Sequence, residues 1–125
     1  MSACPVDTGF KVLGHKFMIL ILRDLILFKK KRFGELLKSV EGISAKTLTM
    51  RLKELEKHGL IKKKVYHTNP TREEYLLTKK GKMLRPLLEQ MAAYSISYCS
   101  EIVFDDKKPR TFKNIVGRPP LAFDK

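Results

Sequence analysis

The sequence predicts a mainly α-helical fold that carries one small β-hairpin. Three observations predict it: two helical segments separated by a Gly-containing break, a β-prone basic run directly after them, and 26 Lys and Arg against 13 Asp and Glu in 125 residues. Helix, tight turn, helix and hairpin, in this order, is the arrangement of a winged helix-turn-helix. The formal net charge of +13 favours a polyanionic partner such as nucleic acid.

The first helix of the pair is predicted over residues 32–40, because apolar residues at 33, 36, 37 and 40 share one helical face. Gly42 then ends it, since glycine adopts the positive φ that follows a helix end. Ser44 has the side chain of an N-cap for the second helix. That helix runs to His58, and Gly59 ends it.

The second helix has one apolar face and one polar face. Leu48, Leu52 and Leu55 follow the i, i+4, i+7 spacing of a buried stripe. A recognition helix contacts base edges mainly with its N-terminal residues. The predicted DNA-binding residues here are Ser44, Lys46, Thr47, Thr49, Met50 and Lys53. The alternative is the solvated lysine face of an ordinary surface helix.

A basic hairpin, the wing, is predicted next. Residues 60–66 form a β-prone run with inserted lysines, residues 68–71 have turn chemistry, and residues 72–77 return as a second strand. A basic tip beside a recognition helix can contact phosphates or the adjacent minor groove. The predicted wing contacts are His67, Asn69, Thr71 and Arg72. The alternative is a solvent-exposed hairpin that only caps the core.

The two ends of the chain are predicted to form a homodimer. Residues 17–22 are apolar on every side, so this helix should be deeply buried. After Thr78 a long helix follows, which Pro86 should kink or break. Its apolar stripe, the predicted dimer interface, comprises Leu84, Leu87, Leu88, Met91, Tyr94, Ser95 and Tyr98. A second copy packed in two-fold symmetry would cover it; the alternative is that the stripe folds back on its own domain.

Several short motifs follow one another between residues 4 and 95. They are Cys4-Pro5-Val6, Gly14-His15-Lys16-Phe17, and the segments 20–25, 32–36, 42–48, 51–56, 59–61, 70–75 and 77–81. This ordered set resembles the HxlR family of prokaryotic winged-helix transcriptional regulators. Departures are Gly14-His15-Lys16-Phe17 in place of Gly-Gly-Lys-Trp, Thr71 in place of a second wing proline, and residues 28–31 in place of a Gly-Pro pair. The resemblance implies DNA binding and dimerisation through the N- and C-terminal helices.

Cys4 is the candidate redox-sensing residue, because the resemblance implies that some relatives use a thiol at this Cys-Pro pair as an oxidant or electrophile sensor. Cys99 lies on the C-terminal helix. A Cys4–Cys99 bridge between subunits is therefore one hypothesis. The alternative is an inert, partly buried thiol.

Catalysis, metal binding and a membrane location find no support in the sequence. His15, His58 and His67 are scattered without ligand-spaced partners, and no phosphate loop or nucleophile motif is present. We expect no enzyme activity, no cofactor and no metal. The longest apolar run, residues 17–22, is too short to span a membrane, and no signal peptide is visible. Two cysteines do not make a disulfide scaffold, so a cytoplasmic protein without a membrane partner is expected.

Two regions are predicted: a winged helix-turn-helix domain with terminal dimerisation helices over residues 1–104, and a C-terminal tail over residues 105–125. Gly117-Arg118-Pro119 in the tail resembles a minor-groove hook, although a flexible tail or an arm packed on the partner is the favoured interpretation. The predicted function is a dimeric, sequence-specific regulator on a pseudo-palindromic DNA operator, switched by a thiol or a small molecule. The alternative is a basic RNA-binding or architectural protein without base readout.

Overall fold

The computed structural model describes residues 2–123. Its elements are α1 (Pro5–Leu13), α2 (Met18–Ile26), α3 (Phe33–Ser39), α4 (Ala45–Lys57), β1 (Ile61–Thr68), β2 (Thr71–Leu77), α5 (Lys79–Lys82), α6 (Arg85–Tyr98), α7 (Ser100–Val103) and α8 (Phe112–Val116). The chain forms two compact units, one ending at Lys82 and one beginning at Met83. The first unit contains the predicted helix-turn-helix and hairpin, so the predicted fold class is confirmed.

The turn between α3 and α4 forms as predicted from local chemistry. Gly42, in this turn, has a φ of +81°, the left-handed conformation that glycine adopts without a steric cost. Gly59, which follows the C-terminal end of α4, has a φ of +73° for the same reason. Ser44 is the N-cap of α4, and its Oγ accepts a hydrogen bond from the Thr47 amide at 3.1 Å. These contacts fix where the second helix begins.

The core of the first unit is formed by α2, α3, α4 and the start of β1. Leu48, Leu52 and Leu55 are buried, which confirms the predicted face of α4. From α2, the buried side chains are Met18, Ile21, Leu22, Asp24, Leu25 and Ile26. Leu20 is 38% exposed, so the prediction that this segment is buried on every side was wrong there. The side of α2 that carries Leu20 faces outward from the core.

The wing is an antiparallel hairpin whose register pairs Ile61 with Leu77 and Thr68 with Thr71. Its strands extend closer to the tip than the sequence predicted. The amide of Tyr75 donates a hydrogen bond of 2.7 Å to the carbonyl oxygen of Lys31, so the segment before α3 is fastened to β2. The side chain of Tyr75 is buried, whereas that of Tyr66 is exposed.

The second unit begins where the predicted long helix breaks. The helix after Thr78 stops at Lys82, and α6 begins at Arg85 with Pro86 in its first turn, where a missing amide is tolerated. The predicted break at Pro86 is therefore present. The predicted C-terminal tail, residues 105–125, contains regular structure that was not predicted, because Phe112–Val116 form α8.

The short helix α8 is capped at both ends. Thr111 Oγ1 accepts from the Asn114 amide at 3.1 Å, Asn114 Oδ1 accepts from the Thr111 amide at 3.1 Å, and Gly117 ends the helix at a φ of +88°. Phe112 is buried. A helix of five residues is too short to show periodicity, which is why the pattern was missed; the Thr-x-x-Asn pair before a glycine was the available signal. Among the described residues, no helix has the length and hydrophobicity needed to cross a membrane.

Candidate nucleic-acid interface

The exposed N-terminal half of α4 contains the predicted reading residues. Lys46, Thr49, Met50 and Lys53 are exposed, Met50 to 46% of its surface, and Thr47 is partly exposed. Met50 therefore offers an apolar side chain for contact on a surface that is otherwise basic. Within the described chain, Lys46 and Lys53 form no ion pair.

The hydroxyl groups of this helix start are already used inside the protein. Ser44 Oγ lies 3.0 Å from Thr47 Oγ1, to which it donates, and it also accepts from the Thr47 amide. Thr49 Oγ1 donates to the Ala45 carbonyl oxygen at 2.9 Å. These three side chains therefore stabilise the start of α4, and the lysines and Met50 are left with free polar or apolar ends.

The wing tip also presents its predicted contacts to solvent. His67, Asn69, Thr71 and Arg72 are all exposed. Thr71 Oγ1 lies 3.4 Å from the Thr68 carbonyl oxygen across the turn. The tip is thus a compact turn with an exposed guanidinium group beside it.

Arg32 lies beside the wing residue Arg72, although it was not predicted from the sequence as a site residue. Two adjoining clefts of about 290 and 460 Å³ share Arg32 and Arg72 in their walls, so the start of α3 and the wing border the same space. Residues 29–32 are four consecutive basic residues, and this run was the signal that could have identified Arg32.

The carboxylates near these clefts are already engaged. Glu73 pairs with Lys63 at 3.6 Å, and a hydrogen bond with Glu74 raises the pKa of the Tyr66 hydroxyl. Glu35 accepts from the amides of Lys31 and Arg32 at 3.2 and 3.1 Å, and these backbone hydrogen bonds lower its pKa. The guanidinium groups of Arg32 and Arg72 form no ion pair within the described chain. They are available to an anion such as a phosphate.

The stripe on α6 that was predicted as a dimer interface is only partly exposed in the described chain. Leu88 is buried, whereas Met91, Tyr94 and Tyr98 are exposed, Tyr98 to 75%. The rings of Tyr94 and Tyr98 lie 5.5 Å apart, the distance of an aromatic pair. Leu87, Gln90, Met91, Tyr94 and Ser95 line a groove of about 330 Å³ along the same helix.

A buried carboxylate on α6, that of Glu89, is a second feature that was not predicted from the sequence. Glu89 is only 3% exposed and accepts hydrogen bonds from Arg118, from Arg85 Nε at 2.8 Å and from the Leu121 amide at 3.1 Å. Hydrogen bonding from Arg118, with the help of Arg85 and Leu121, lowers the pKa of Glu89 to about 2. Arg118 is therefore engaged by its own chain here.

Both cysteines are free thiols. Cys4 is exposed at the N-cap position of α1, and Cys99 is half-buried at the end of α6. The helix that follows Cys4 has no buried residue along Pro5–Leu13, and its Val6 and Phe10 are 80% and 67% exposed. Among the described residues, no group of three or more His, Cys, Asp or Glu side chains has the spacing to hold a metal ion.

A helix-turn-helix with an exposed basic second helix and a basic wing defines the class of winged-helix DNA-binding regulators. A family model described as HxlR-like helix-turn-helix matches residues 12–103, and the chain belongs to this family. The predicted resemblance is thereby confirmed. Relatives matched by the chain are named HTH-type transcriptional regulators.

Two regulators illustrate the similarity in sequence. The HTH-type transcriptional regulator sll1512 of Synechocystis is 45% identical over 89 residues, which are 70% of this chain and 64% of that protein, so the match spans slightly less than two thirds of the relative. The HTH-type regulator YdeP of Bacillus subtilis is 37% identical over 101 residues, 81% of this chain and 78% of the relative.

Solved structures agree with this assignment. The reduced form of the redox regulator HypR superposes with a TM-score of 0.68 at 33% identity, covering 74% of this chain and 90% of HypR. Reduced YodB of B. subtilis gives a TM-score of 0.65 at 33% identity, covering 78% and 95%. A MarR-family regulator of Porphyromonas gingivalis gives 0.70 at 34% identity, covering 78% and 95%. The winged-helix architecture is common to all three comparisons.

Proposed function

We propose that this protein is a homodimeric transcriptional regulator that reads a pseudo-palindromic DNA operator. The observation that carries the proposal is the start of α4: a Ser44-capped helix whose first three turns expose Lys46, Met50 and Lys53. Since a recognition helix contacts bases with its N-terminal residues, these side chains are the proposed readers. Ser44, Thr47 and Thr49 fix the helix start and can add contacts through their remaining lone pairs.

The wing and the start of α3 supply the proposed phosphate contacts. Arg72 and Arg32 border the same clefts, and their guanidinium groups match a phosphate with two parallel donors. His67, Asn69 and Thr71 at the tip complete this surface. Phosphate contacts set the register of the protein on DNA, whereas the α4 side chains supply the sequence preference.

Dimerisation through α1 and α6 is the second part of the proposal. Both helices present apolar side chains to solvent in the protomer, including Phe10, Tyr94 and Tyr98. A two-fold dimer would cover such surfaces and place two α4 helices in successive major grooves, about 10 bp apart or at a multiple of that distance. Residues 1–104 would act as the DNA-binding and dimerising part, in the cytoplasm where the chromosome lies.

The decisive experiment selects bound fragments from the source organism's genomic DNA and compares their affinity with that for random DNA and RNA. A regulator prefers its operator by at least about a thousandfold at physiological salt. Equal affinity for all three nucleic acids would instead support the architectural or RNA-binding alternative, because charge alone supplies non-specific binding. Analytical ultracentrifugation at micromolar concentration tests the dimer; a monomer with full operator affinity contradicts it.

Cys4 is the proposed redox thiol. It is exposed and lies at the N-cap of α1, the helix proposed to meet the partner. Two relatives support this role: HypR is described as a redox regulator with reduced and oxidised forms, and YodB has reduced and diamide-treated forms. Small-molecule control is the second proposed input.

A further inference from the structure

The connection between α1 and α2 is a strained turn over residues 14–17. Phe17 has a φ of +71°, a left-handed backbone conformation that a bulky residue seldom adopts. The Met18 amide donates to the His15 carbonyl oxygen at 3.0 Å and holds the turn closed. Such strained backbone persists where surrounding contacts determine it, and one of those contacts comes from α4.

That contact is made by Arg51. Its Nε donates to the Lys16 carbonyl oxygen at 3.1 Å, and its Nη1 lies 2.7 Å from Glu54 Oε1. The side chain is only 14% exposed, so the fork of donors is held between the turn and its own helix. Arg51 thus joins the helix proposed to read DNA to a backbone group 35 residues earlier.

The direction of α1 depends on this turn, since no residue of α1 is buried along its length in the described chain. A helix that is packed so lightly follows the geometry of the segment that joins it to the core. A rotation of α1 must be absorbed at residues 14–17, where Arg51 is attached.

We propose that Arg51 is a positioning residue that ties the orientation of α1 to that of α4. A second copy that docks on α1 would thereby set the angle at which each α4 meets the DNA, and so the preferred spacing of the two half-sites. This inference rests on the proposed function, since it assigns α1 to the dimer and α4 to the DNA. The inference adds the Arg51–Lys16 contact, through which the position of α1 affects the orientation of α4.

The first experiment needs no DNA. Hydrogen exchange of the Met18 amide is measured in wild type, Arg51→Ala, Glu54→Gln and the surface control Lys57→Ala. Arg51→Ala is expected to accelerate exchange at Met18 at least about tenfold while the buried Leu52 amide keeps its rate, because only the turn has lost its anchor. Glu54→Gln keeps the Lys16 contact and should leave Met18 unchanged. Unaltered Met18 exchange in Arg51→Ala overturns the proposal.

The second experiment uses duplexes that carry the selected operator with spacers altered by one or two base pairs. Wild type and Lys57→Ala should discriminate between spacers by about tenfold or more, because half-site separation is matched to the dimer. Arg51→Ala should retain affinity for an isolated half-site within about twofold and discriminate between spacers less than about threefold. Unchanged discrimination with a lowered melting temperature would show a merely structural role and overturn the proposal.

Arg51→Lys decides the case if Arg51→Ala fails to fold. Lysine keeps the positive charge but presents one ammonium group in place of the guanidinium fork, so it cannot hold both partners in the same geometry. It is expected to show fast Met18 exchange and weak spacer discrimination; wild-type behaviour in both overturns the proposal. A wild-type protein without any sequence preference would refute the proposed function instead, while Met18 exchange still decides whether Arg51 anchors the turn.

Discussion

Arg118 and Glu89 form a two-pronged ion pair across 29 residues of sequence, with Nη1 2.6 Å from Oε1 and Nη2 3.1 Å from Oε2. The pair fastens the C-terminal segment to α6, and Gln90 Nε2 adds a hydrogen bond of 3.1 Å to the Leu121 carbonyl oxygen. Because a buried carboxylate is stable only when its oxygens are paired, Arg118 is part of the folded second unit. The Gly117-Arg118-Pro119 tripeptide therefore holds the C-terminal segment in place, and its arginine is not free to enter a minor groove as a hook would.

Arg118→Ala should destabilise the protein by about 1–2 kcal/mol. Removing one partner of a fully buried ion pair lowers the free energy of unfolding by about 3–5 kcal/mol. The effect is smaller here because Arg118 is 40% exposed, so solvent screens the pair, and because Glu89 keeps its bond to Arg85. Urea unfolding at pH 7 measures it, with Lys113→Ala on the exposed side of α8 as the control. A difference below about 0.5 kcal/mol, the usual range of a surface substitution, would show that the tail is not held by this pair.

The pH dependence of stability should report Glu89 directly. Its pKa falls from 4.5 unfolded to about 2 folded, so its stabilising contribution is complete above pH 4.5 and disappears as the pH falls toward 2. The stability difference between wild type and Glu89→Gln should therefore shrink over that interval. Urea midpoints of both proteins at several pH values test this. A difference that stays constant from pH 6 to pH 2.5 would contradict the assigned pKa.

Sequence pattern predicted the first unit well because its signals are local. The Ser44 cap, Gly42, Gly59 and the Leu48–Leu55 stripe each act within one or two helical turns. Periodicity over 13 residues of α4 suffices to place its buried and exposed faces.

Contacts between distant segments were not predictable in this way. The Glu89–Arg118, Arg51–Lys16 and Arg32–Arg72 relationships join residues that only the folded chain brings together. Two local contacts were not predicted either. The Ser44 cap on the Thr47 amide was expected, but the hydrogen bonds from Ser44 Oγ to Thr47 Oγ1 and from Thr49 Oγ1 to the Ala45 carbonyl oxygen depend on side-chain rotamers that the sequence does not specify.

Lys46→Ala and Lys53→Ala should lose more affinity for the operator than for random DNA. If each side chain reads a base, the extra loss is about 1–3 kcal/mol, because base contacts carry the specificity. Fluorescence anisotropy with both duplexes at one salt concentration measures it, and Lys57→Ala in the last turn of α4 is the matched control. Equal losses of affinity for both duplexes would show that these lysines contact phosphates and not bases.

Arg32→Ala and Arg72→Ala should weaken binding to operator and random DNA alike. Each removes a phosphate contact, so the slope of log K against log salt should fall by about 1 for each substitution. Titrations between 50 and 200 mM salt determine the slope, as is usual for this test. Lys79→Ala on α5, which follows the base of the wing, serves as the control for loss of one positive charge away from the wing tip. An unchanged slope for Arg32→Ala would remove the start of α3 from the interface.

Cys4→Ser should abolish any effect of oxidants on operator binding and leave the affinity of the reduced protein intact. Cys4 is exposed at the N-cap of α1, so a bond formed there acts on the helix proposed to set the spacing of the two reading heads. Diamide takes two electrons from two thiols and leaves a disulfide, which non-reducing electrophoresis detects as a dimer band if the bridge joins subunits. Anisotropy before and after treatment gives the change in operator affinity.

Cys99→Ser identifies the partner thiol in that oxidation. If Cys4 of one subunit bridges to Cys99 of the other, each single substitution should remove both the dimer band and the affinity change. A dimer band that persists in Cys99→Ser and disappears in Cys4→Ser would instead assign the bond to the two Cys4 thiols. Half-burial makes Cys99 the slower of the two thiols toward a bulky reagent, since thiol reactions depend on access. Wild-type protein that binds its operator identically before and after diamide treatment would end the case for Cys4 as a sensor.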